Sequence, residues 1–341
     1  MTSKPALALN RFDYRSPTQF AADAARAESL GWDWAFIPAS SLRLRDPYIN
    51  LAFAAERTER IGLGVLIDNP VSRDPGVMAS SIATVDEMAP GRTILGLGVG
   101  DTAVRLLGRR PAKVAELEAA TDLARRLLRG ESLDVGAQRD ATLPHARPVP
   151  VWIAAGGPKT LRMAGRVADG VFIRVGTHEA NLRAAMEAVW AGADEVGRDR
   201  EEIKFAFIFH VVLNDDPEAA RWMAHAMAAG YYEYTPSLFA APGFEWNGPD
   251  IHELKAQVWP DFHHDDDLVA AGKVVDFLPA EVVDAFSVYG DVTQVQSQLR
   301  AIIDLDLPCA MLIPHPVPTP SPGGPRPDYI ERFASEVWAS L

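Results

Sequence analysis

The sequence predicts an α/β fold of the TIM (β/α)8 barrel class, in which parallel strands alternate with helices around a closed sheet. Short apolar runs alternate along the chain with longer segments whose apolar residues recur at helical spacing. Eight such strand–helix units can be counted over the 341 residues. That count favours a closed barrel over an open, doubly wound sheet.

The apolar runs predict strands at residues 6–9, 34–37, 61–67, 93–97, 151–155, 171–174, 205–213 and 310–313. Helix starts are predicted at Ser16-Pro17, Asp46-Pro47 and Asp74-Pro75, since each pairs a capping side chain with a proline suited to the first helical position. Further helices are predicted at residues 112–129, from Pro158, and at 180–196, 218–229 and 293–303. The order strand, helix, strand is therefore expected almost throughout.

Two segments interrupt this order. Residues 231–289 are rich in aromatic, proline and acidic residues without strand periodicity, and we expect an insertion in a loop over the barrel mouth. Residues 314–327 are rich in proline and predict an extended connector before a last helix at 328–341. A loop is expected over 132–149. We expect one domain over residues 1–341.

Composition excludes several classes of function. The formal net charge is -13 at pH 7, whereas a nucleic-acid binder needs a basic face. The single cysteine, Cys309, lies in an apolar run and is expected in the core, so neither a disulfide nor a cysteine-based zinc site is expected. No apolar run approaches the roughly 18 residues of a membrane span. We expect a cytoplasmic protein that binds neither nucleic acid nor membrane.

The segment 151–170 predicts a strand that leads directly into a helix start suited to an anion. Gly156 and Gly157 let the backbone approach a ligand closely, and Pro158 fits the first helical position. The unpaired N–H groups of the first helical turn attract a negative group such as phosphate. A plain turn between strand and helix explains the same residues equally well.

Function in a barrel collects where the strands end. Gly98 and Gly100 follow the strand at 93–97 and are expected to let the backbone close over a flat ligand, with Asp101 as a general acid or base. Alternatively, Asp101 caps a short helix that begins at Thr102. Gly96, Gly98 and Gly100 lack the spacing of a dinucleotide-binding motif.

Other polar residues are weaker candidates. His210 is a candidate substrate-binding residue or a buried structural histidine. Lys159, Arg162 and Arg174 are candidates to neutralise an anion, or ordinary solvated side chains. The run His263–Asp267 resembles a metal site only in composition, and a solvated loop is expected there, with no metal.

Taken together, several segments resemble the bacterial luciferase-like family, and within it the branch that uses the deazaflavin coenzyme F420, which includes methylenetetrahydromethanopterin reductase. The similar segments are AESLGWDWAFI (27–37), DPYINLAFAAERTERIGLG (46–64), NPVSRDPGVMASSIATVDEMAPGRTILGLGVGD (69–101), LLGRRPAKV (106–114) and PVPVWIAAGGPKTLRMAGRVADGV (148–171). The resemblance covers roughly residues 5–230 and 285–315.

The resemblance implies a role for most of these candidates. It implies that the backbone at the end of the fifth strand holds the cofactor phosphate, and that a cis peptide bond at Leu66-Ile67 lies under the ring. It places Asp101 where a related sugar-phosphate dehydrogenase has a catalytic glutamate. The residue patterns and the resemblance together predict these cofactor-binding residues: Ser40, Leu66, Ile67, Gly98, Gly100, Ala154, Ala155, Gly156, Gly157, Lys159 and Arg174.

One departure from the branch concerns the proton chemistry. The branch often has an Asp-His pair after the second strand, where this chain has Ala39 and Ser40. A serine hydroxyl can form hydrogen bonds, but it is not an acid or base comparable to histidine at neutral pH. A mechanism that depends on that histidine is therefore in doubt.

The sequence thus predicts an oxidoreductase that transfers a hydride between coenzyme F420 and a small organic substrate under the 231–289 segment, with Asp101 as proton donor. The alternatives are an FMN-dependent luciferase-like monooxygenase and a non-catalytic flavin-binding protein. A homodimer is expected from the family. The apolar stripe Val77, Ile82 and Val85 suits either a dimer interface or the core.

Overall fold

The structure of the chain is a computed structural model that describes residues 4–10, 16–136, 138–317 and 329–341. Their contacts divide the chain between two units. The first unit contains Ala6–Phe172 and Ala188–Ala206, and the second contains Ile173–Glu187 and Phe207–Leu341 together with residues 4 and 5. A single domain over the whole chain stays a prediction.

The first unit is built on parallel strands in the order β1-β2-β3-β4-β7-β8. These strands are β1 (Ala6–Asn10), β2 (Trp34–Ile37), β3 (Gly62–Asp68), β4 (Thr93–Leu97), β7 (Val151–Ala155) and β8 (Gly170–Ile173), and an antiparallel hairpin is formed by β5 (Leu133–Val135) and β6 (Gln138–Ala141). The strands β1, β4 and β8 are buried along almost their whole length, as expected of a parallel sheet covered on both faces. The hairpin lies within the stretch 132–149, where only a loop was expected.

The helices of the first unit begin where their caps predict. They are α1 (Pro17–Ser29), α2 (Pro47–Ala55), α3 (Pro75–Met88), α4 (Thr102–Arg105), α5 (Val114–Leu128) and α6 (Pro158–Val167). The side chains of Ser16, Asp46 and Asp74 each accept hydrogen bonds from the first turn of α1, α2 and α3, respectively. Val77 is 49% exposed whereas Ile82 is fully buried, so these two residues do not share one apolar face of α3.

The second unit contains strands in the order β10-β9-β11. Three elements, β8, α7 (Glu179–Glu195) and β9 (Lys204–Leu213), have residues in both units. The other elements are α8 (Pro217–Tyr234), α9 (Ile251–Lys255), α10 (Leu268–Lys273), α11 (Ala280–Asp284), β10 (Ser287–Gly290), α12 (Val292–Ile303), β11 (Met311–Pro316) and α13 (Tyr329–Arg332). A π-helical turn, Phe333–Val337, and a short 3-10 helix, Trp338–Ser340, follow α13.

Parallel strands alternate with helices through both units, so the predicted TIM (β/α)8 class is confirmed. Two details of the prediction are wrong. The 231–289 segment is not wholly an insertion, because it contains the end of α8 and the strand β10, which pairs in parallel with β9. Residues 314–316 belong to β11 rather than to the proline-rich connector, whose residues 318–327 lie outside the described part of the chain.

In the described ranges, none of the helices is long and apolar enough to cross a membrane. Cys309 is a thiol rather than a reactive thiolate, since burial raises its pKa to about 12. Its Sγ donates a hydrogen bond to the carbonyl oxygen of Met311 at 3.1 Å.

Candidate active site

The start of α6 has the features of an anion site that the sequence predicts. Gly157 occupies the N-cap position with extended backbone (φ -86°, ψ 148°), and no side chain caps the helix there. A Cβ added at Gly157 would meet no atom within 4 Å. No side chain of the protein caps the first turn of α6, so the N–H groups of Lys159 and Thr160 could donate hydrogen bonds to a phosphate.

The basic residues of α6 differ in their availability to an anion. Lys159, in the first turn, is exposed. Arg162 forms an ion pair with Glu195, and Arg166 pairs with both Glu118 and Glu195. Arg162 therefore already has a carboxylate partner in the protein, whereas its contact with an anion stays a prediction.

The end of β3 is held by a buried hydrogen-bond network. The Leu66-Ile67 peptide bond is cis, as the family resemblance implies. The next residue, Asp68, is 1% exposed and accepts hydrogen bonds from the Tyr48 hydroxyl (3.0 Å) and the Asn69 N–H (2.8 Å), with Arg73 Nε at 3.2 Å. Burial raises the pKa of Asp68, although these donors act in the opposite direction.

The ends of the neighbouring strands lie against this segment. The Ala39 N–H donates to the carbonyl of Ile67 (3.2 Å), which places the loop after β2 beside the cis bond. The Gly98 N–H donates to the carbonyl of Asp68 (3.0 Å). On the other side, β4 pairs with β7, so the strand that precedes the Gly157 site is the next one along. The first unit thus brings the predicted residues Ser40, Leu66, Ile67, Gly98, Gly100 and 154–157 to one edge of its sheet.

The glycines after β4 have a packing role that the sequence does not reveal. A Cβ at Gly98 would lie 2.1 Å from Ile67 Cδ1, and one at Gly100 would lie 2.8 Å from the Asn69 Cβ. Gly100 also has φ +74°, a left-handed conformation that favours glycine. Close packing of this loop against the end of β3 is therefore sufficient to explain both glycines.

Asp101 lies at the N-cap position of α4, but its carboxylate makes no capping hydrogen bond. It pairs instead with the guanidinium of Arg105, one turn later, and its side chain is 38% exposed. The alternative prediction, that Asp101 caps a short helix beginning at Thr102, is therefore correct for the position of Asp101 and wrong for the hydrogen bond of its carboxylate. In this arrangement the carboxylate accepts hydrogen bonds from Arg105 and is open to solvent.

Among the described residues of the first unit, two buried side-chain polar atoms have no hydrogen-bond partner. They are the Oδ1 of Asn10, at the end of β1, and the Oγ of Ser40, just after β2. Unpaired buried polar atoms are rare in proteins, and each points to a ligand or a bound water. The sequence analysis missed Asn10 because the apolar run ends at Leu9. A polar residue directly after a predicted strand was the signal available.

In the second unit, Arg174 and His210 are brought together. The Arg174 Nη2 lies 3.3 Å from His210 Nε2 and 3.3 Å from His263 Nδ1. The expectation of a solvated loop at His263–Asp267 is wrong for His263, which is 7% exposed and bonded through Nε2 to the Met227 carbonyl (3.0 Å). Within the described residues, no group of three or more His, Cys, Asp or Glu side chains is placed to hold a metal ion.

The fold defines the chain as a TIM-barrel protein, and the candidate site lies where the strands of the first unit end. Residues 6–306 match the model of the luciferase-like monooxygenase family, and the chain belongs to this family. The resemblance predicted from the sequence segments is confirmed.

Three similar proteins show which members of the family this chain resembles. The chain is 28% identical over 292 residues to a 5,10-methylenetetrahydromethanopterin reductase of Methanolobus tindarius, covering 83% of this chain and 86% of the relative. It is 34% identical over 227 residues to an F420-dependent glucose-6-phosphate dehydrogenase of Intrasporangium calvum, covering 60% and 68%. The solved structure of a coenzyme F420-dependent tetrahydromethanopterin reductase from Methanopyrus kandleri has the same fold, with a TM-score of 0.73, 21% identity and 99% of each chain covered.

Proposed function

We propose that this protein is an oxidoreductase that transfers a hydride between coenzyme F420 and a small organic substrate. The observation that carries the proposal is the open, uncapped helix start at Gly157, which lies at the same sheet edge as the cis peptide bond at Leu66-Ile67. Its support from relatives is the similarity to the reductase and to the F420-dependent dehydrogenase described above.

The residues of the first unit fit a phosphorylated deazaflavin. The N–H groups of Lys159 and Thr160 would hold its phosphate, with Lys159 supplying a positive charge. The unpaired Ser40 Oγ and Asn10 Oδ1 offer a hydrogen-bond donor and an acceptor to polar groups of the ring. When bound, the deazaflavin supplies the hydride chemistry, and the protein supplies position and charge.

Asp101 is our proposed proton-transfer residue. It is partly exposed, and its carboxylate forms an ion pair with Arg105 on the same short helix. A substrate group could therefore reach the carboxylate without displacing buried structure. Ser40 stands where the branch often has a histidine, and it can only donate or accept a hydrogen bond there. Location in the cytoplasm and a homodimeric state stay predictions.

Cofactor titration tests the proposal directly. Purified protein is titrated with F420 and, separately, with FMN, and binding is followed by quenching of tryptophan fluorescence. F420 should bind with the lower Kd. Tighter binding of FMN would contradict the proposal and favour the monooxygenase alternative.

A matched pair of serine variants tests the site itself. Ser40→Ala should weaken F420 binding by about 3- to 10-fold, because it removes a buried group that only the ligand pairs. The neighbouring Ser41 is exposed, so Ser41→Ala should leave the Kd unchanged. Equal effects of the two variants would remove Ser40 from the site.

A further inference from the structure

The second unit contains a cluster of aromatic side chains around one arginine. The rings of His210 and His263 lie 4.7 Å apart, and that of His315 lies 5.5 Å from His210. The Arg174 guanidinium lies over the ring of Tyr231, 5.5 Å from its centre. Arg174 itself is exposed while the rings of His210 and His263 are buried, so the cation lies between the cluster and solvent.

The contacts of Arg174 determine the protonation of its two histidine neighbours. A guanidinium only donates hydrogen bonds, so the nitrogens 3.3 Å from Nη2 must offer lone pairs. His263 then carries its proton on Nε2, which donates to the Met227 carbonyl. His210 carries its proton on Nδ1, and this buried N–H has no partner. Burial, with Arg174 nearby, lowers the pKa of both rings, so they are neutral at neutral pH.

Arg174 keeps its full positive charge in this arrangement. Among the described residues no carboxylate forms an ion pair with it, whereas Arg125 and Arg147 each pair with one and Arg73 pairs with two. Two neutral imidazoles hold Nη2 in place without neutralising the cation. The Nε and Nη1 atoms carry three further N–H donors on the same charge.

Donors without partners continue beside the cation. Ser287 in β10 is the register partner of His210 in β9, so the two side chains lie on the same face of the sheet. The Ser287 Oγ is buried and has no hydrogen-bond partner. Two buried donors beside the cation, the His210 Nδ1–H and the Ser287 hydroxyl, are thus left for a ligand rich in oxygen acceptors.

We propose that Arg174, positioned by His210 and His263, binds a carboxylate group of the substrate, and that Ser287 and the His210 Nδ1–H serve a further substrate oxygen. A carboxylate matches the single positive charge, whereas a phosphate dianion would leave one negative charge uncompensated. This carboxylate site adds a substrate class, small organic acids, to the proposed function. The reaction of the bound acid rests on the proposed function, but the binding of its carboxylate does not.

Binding without cofactor tests the site independently of the reaction. The protein is titrated with propionate, inorganic phosphate and propionamide at constant ionic strength, while the side-chain ¹⁵N resonances of Arg174 and His210 are recorded by NMR. Propionate should shift both resonances saturably, and propionamide should shift neither. Arg174→Gln should weaken propionate binding at least tenfold, and the exposed Arg110→Gln should not change it.

If Arg174→Gln unfolds, Arg174→Lys is measured in its place. Because lysine keeps the positive charge, this variant should retain part of the propionate affinity. Tighter binding of phosphate than of propionate, equal binding of propionamide, or equal losses in the Arg174 and Arg110 variants would overturn the assignment.

Turnover with F420 separates this proposal from the proposed function. Arg174→Gln should raise the KM for a hydroxy acid at least tenfold and leave the KM for the alcohol of equal chain length unchanged. Propionate binding without any F420 turnover would contradict the proposed function and leave the carboxylate site standing. F420 turnover with equal KM changes for acid and alcohol would contradict the carboxylate site alone.

Discussion

Replacing Gly157 by aspartate should stabilise the protein and weaken its binding of F420. Gly157 has extended backbone angles, φ -86° and ψ 148°, which aspartate adopts readily, and no atom lies within 4 Å of the new Cβ. Asp74 caps α3 from nearly the same conformation, φ -63° and ψ 139°, with Oδ1 2.8 Å from the Gly76 N–H. The new carboxylate should cap α6 in the same way.

The two effects differ in size and in sign. A carboxylate at the N-terminus of α6 should raise the free energy of unfolding by about 0.5–1 kcal/mol, through the cap and the helix dipole. The same carboxylate would lie about 4 Å from a phosphate bound at the first turn, where like charges repel by up to about 4 kcal/mol at an effective dielectric constant of 20. Allowing half of this for solvent screening, the Kd for F420 should rise about 30-fold.

Urea denaturation of the cofactor-free protein and fluorescence titration with F420 measure the two effects. Gly157→Ser is the matched control, because serine caps the helix without a charge; it should stabilise similarly and weaken F420 binding less than tenfold. Unchanged affinity in the aspartate variant, or equal losses for serine and aspartate, would refute a phosphate at this helix start.

Three further predictions concern proton transfer, packing and pH. Asp101→Asn should lower kcat by about 10²–10⁴-fold if the carboxylate transfers a proton, and an unchanged kcat would remove it from the mechanism. Gly96→Ala should lower the free energy of unfolding by about 2 kcal/mol, since its Cβ would lie 2.3 Å from the Val65 carbonyl oxygen. Gly157→Ala meets no atom, and its poorer helix cap is largely offset by the reduced freedom of the unfolded chain, so it should cost less than about 1 kcal/mol; equal urea midpoints would contradict this. Burial lowers the pKa of the His315 side chain to about 3, whereas the same side chain in the unfolded chain takes up a proton below about pH 6.5. Between pH 7.5 and 5.5 the free energy of unfolding of the native chain should therefore fall by about 1 kcal/mol more than that of His315→Gln. Equal losses would exclude a neutral, buried His315.

Most of the fold is predictable from local pattern. The pairs Asp46-Pro47 and Asp74-Pro75 place helix starts correctly because capping is a contact between residues two or three apart. The apolar runs place β2 and β4 at the residues where they are found. Such features depend on neighbours in the chain, which the sequence displays directly.

Features that depend on distant residues are not predictable in this way. The strand β10 has four residues inside an aromatic and acidic stretch, and its strand character comes from pairing with His210–Leu213 of β9. His263 stands beside three aspartates, yet it is buried against α8, where Gly230 leaves room for its ring: a Cβ there would lie 2.2 Å from His263 Cδ2. The pairing of Arg162 with Glu195 is likewise invisible until the helices are placed.

The residues of the candidate site likewise differ in how far the sequence predicts them. Gly157, Ser40 and the Leu66-Ile67 bond could be indicated from the sequence, because the glycine-proline helix start is a local pattern and the family resemblance covers these segments. Ser287 could not, and for Asn10 the sequence offers only a polar residue after a strand, since only the structure shows that their polar atoms are buried without partners.

The crystal structure of the protein with F420 is the most direct test of the central claim. The account predicts a phosphate oxygen within about 3 Å of the Lys159 or Thr160 N–H, with the deazaflavin ring against the Leu66-Ile67 bond and a ring atom bonded to the Ser40 Oγ. A phosphate bound elsewhere, with the N–H groups of the α6 first turn left to solvent, would contradict it.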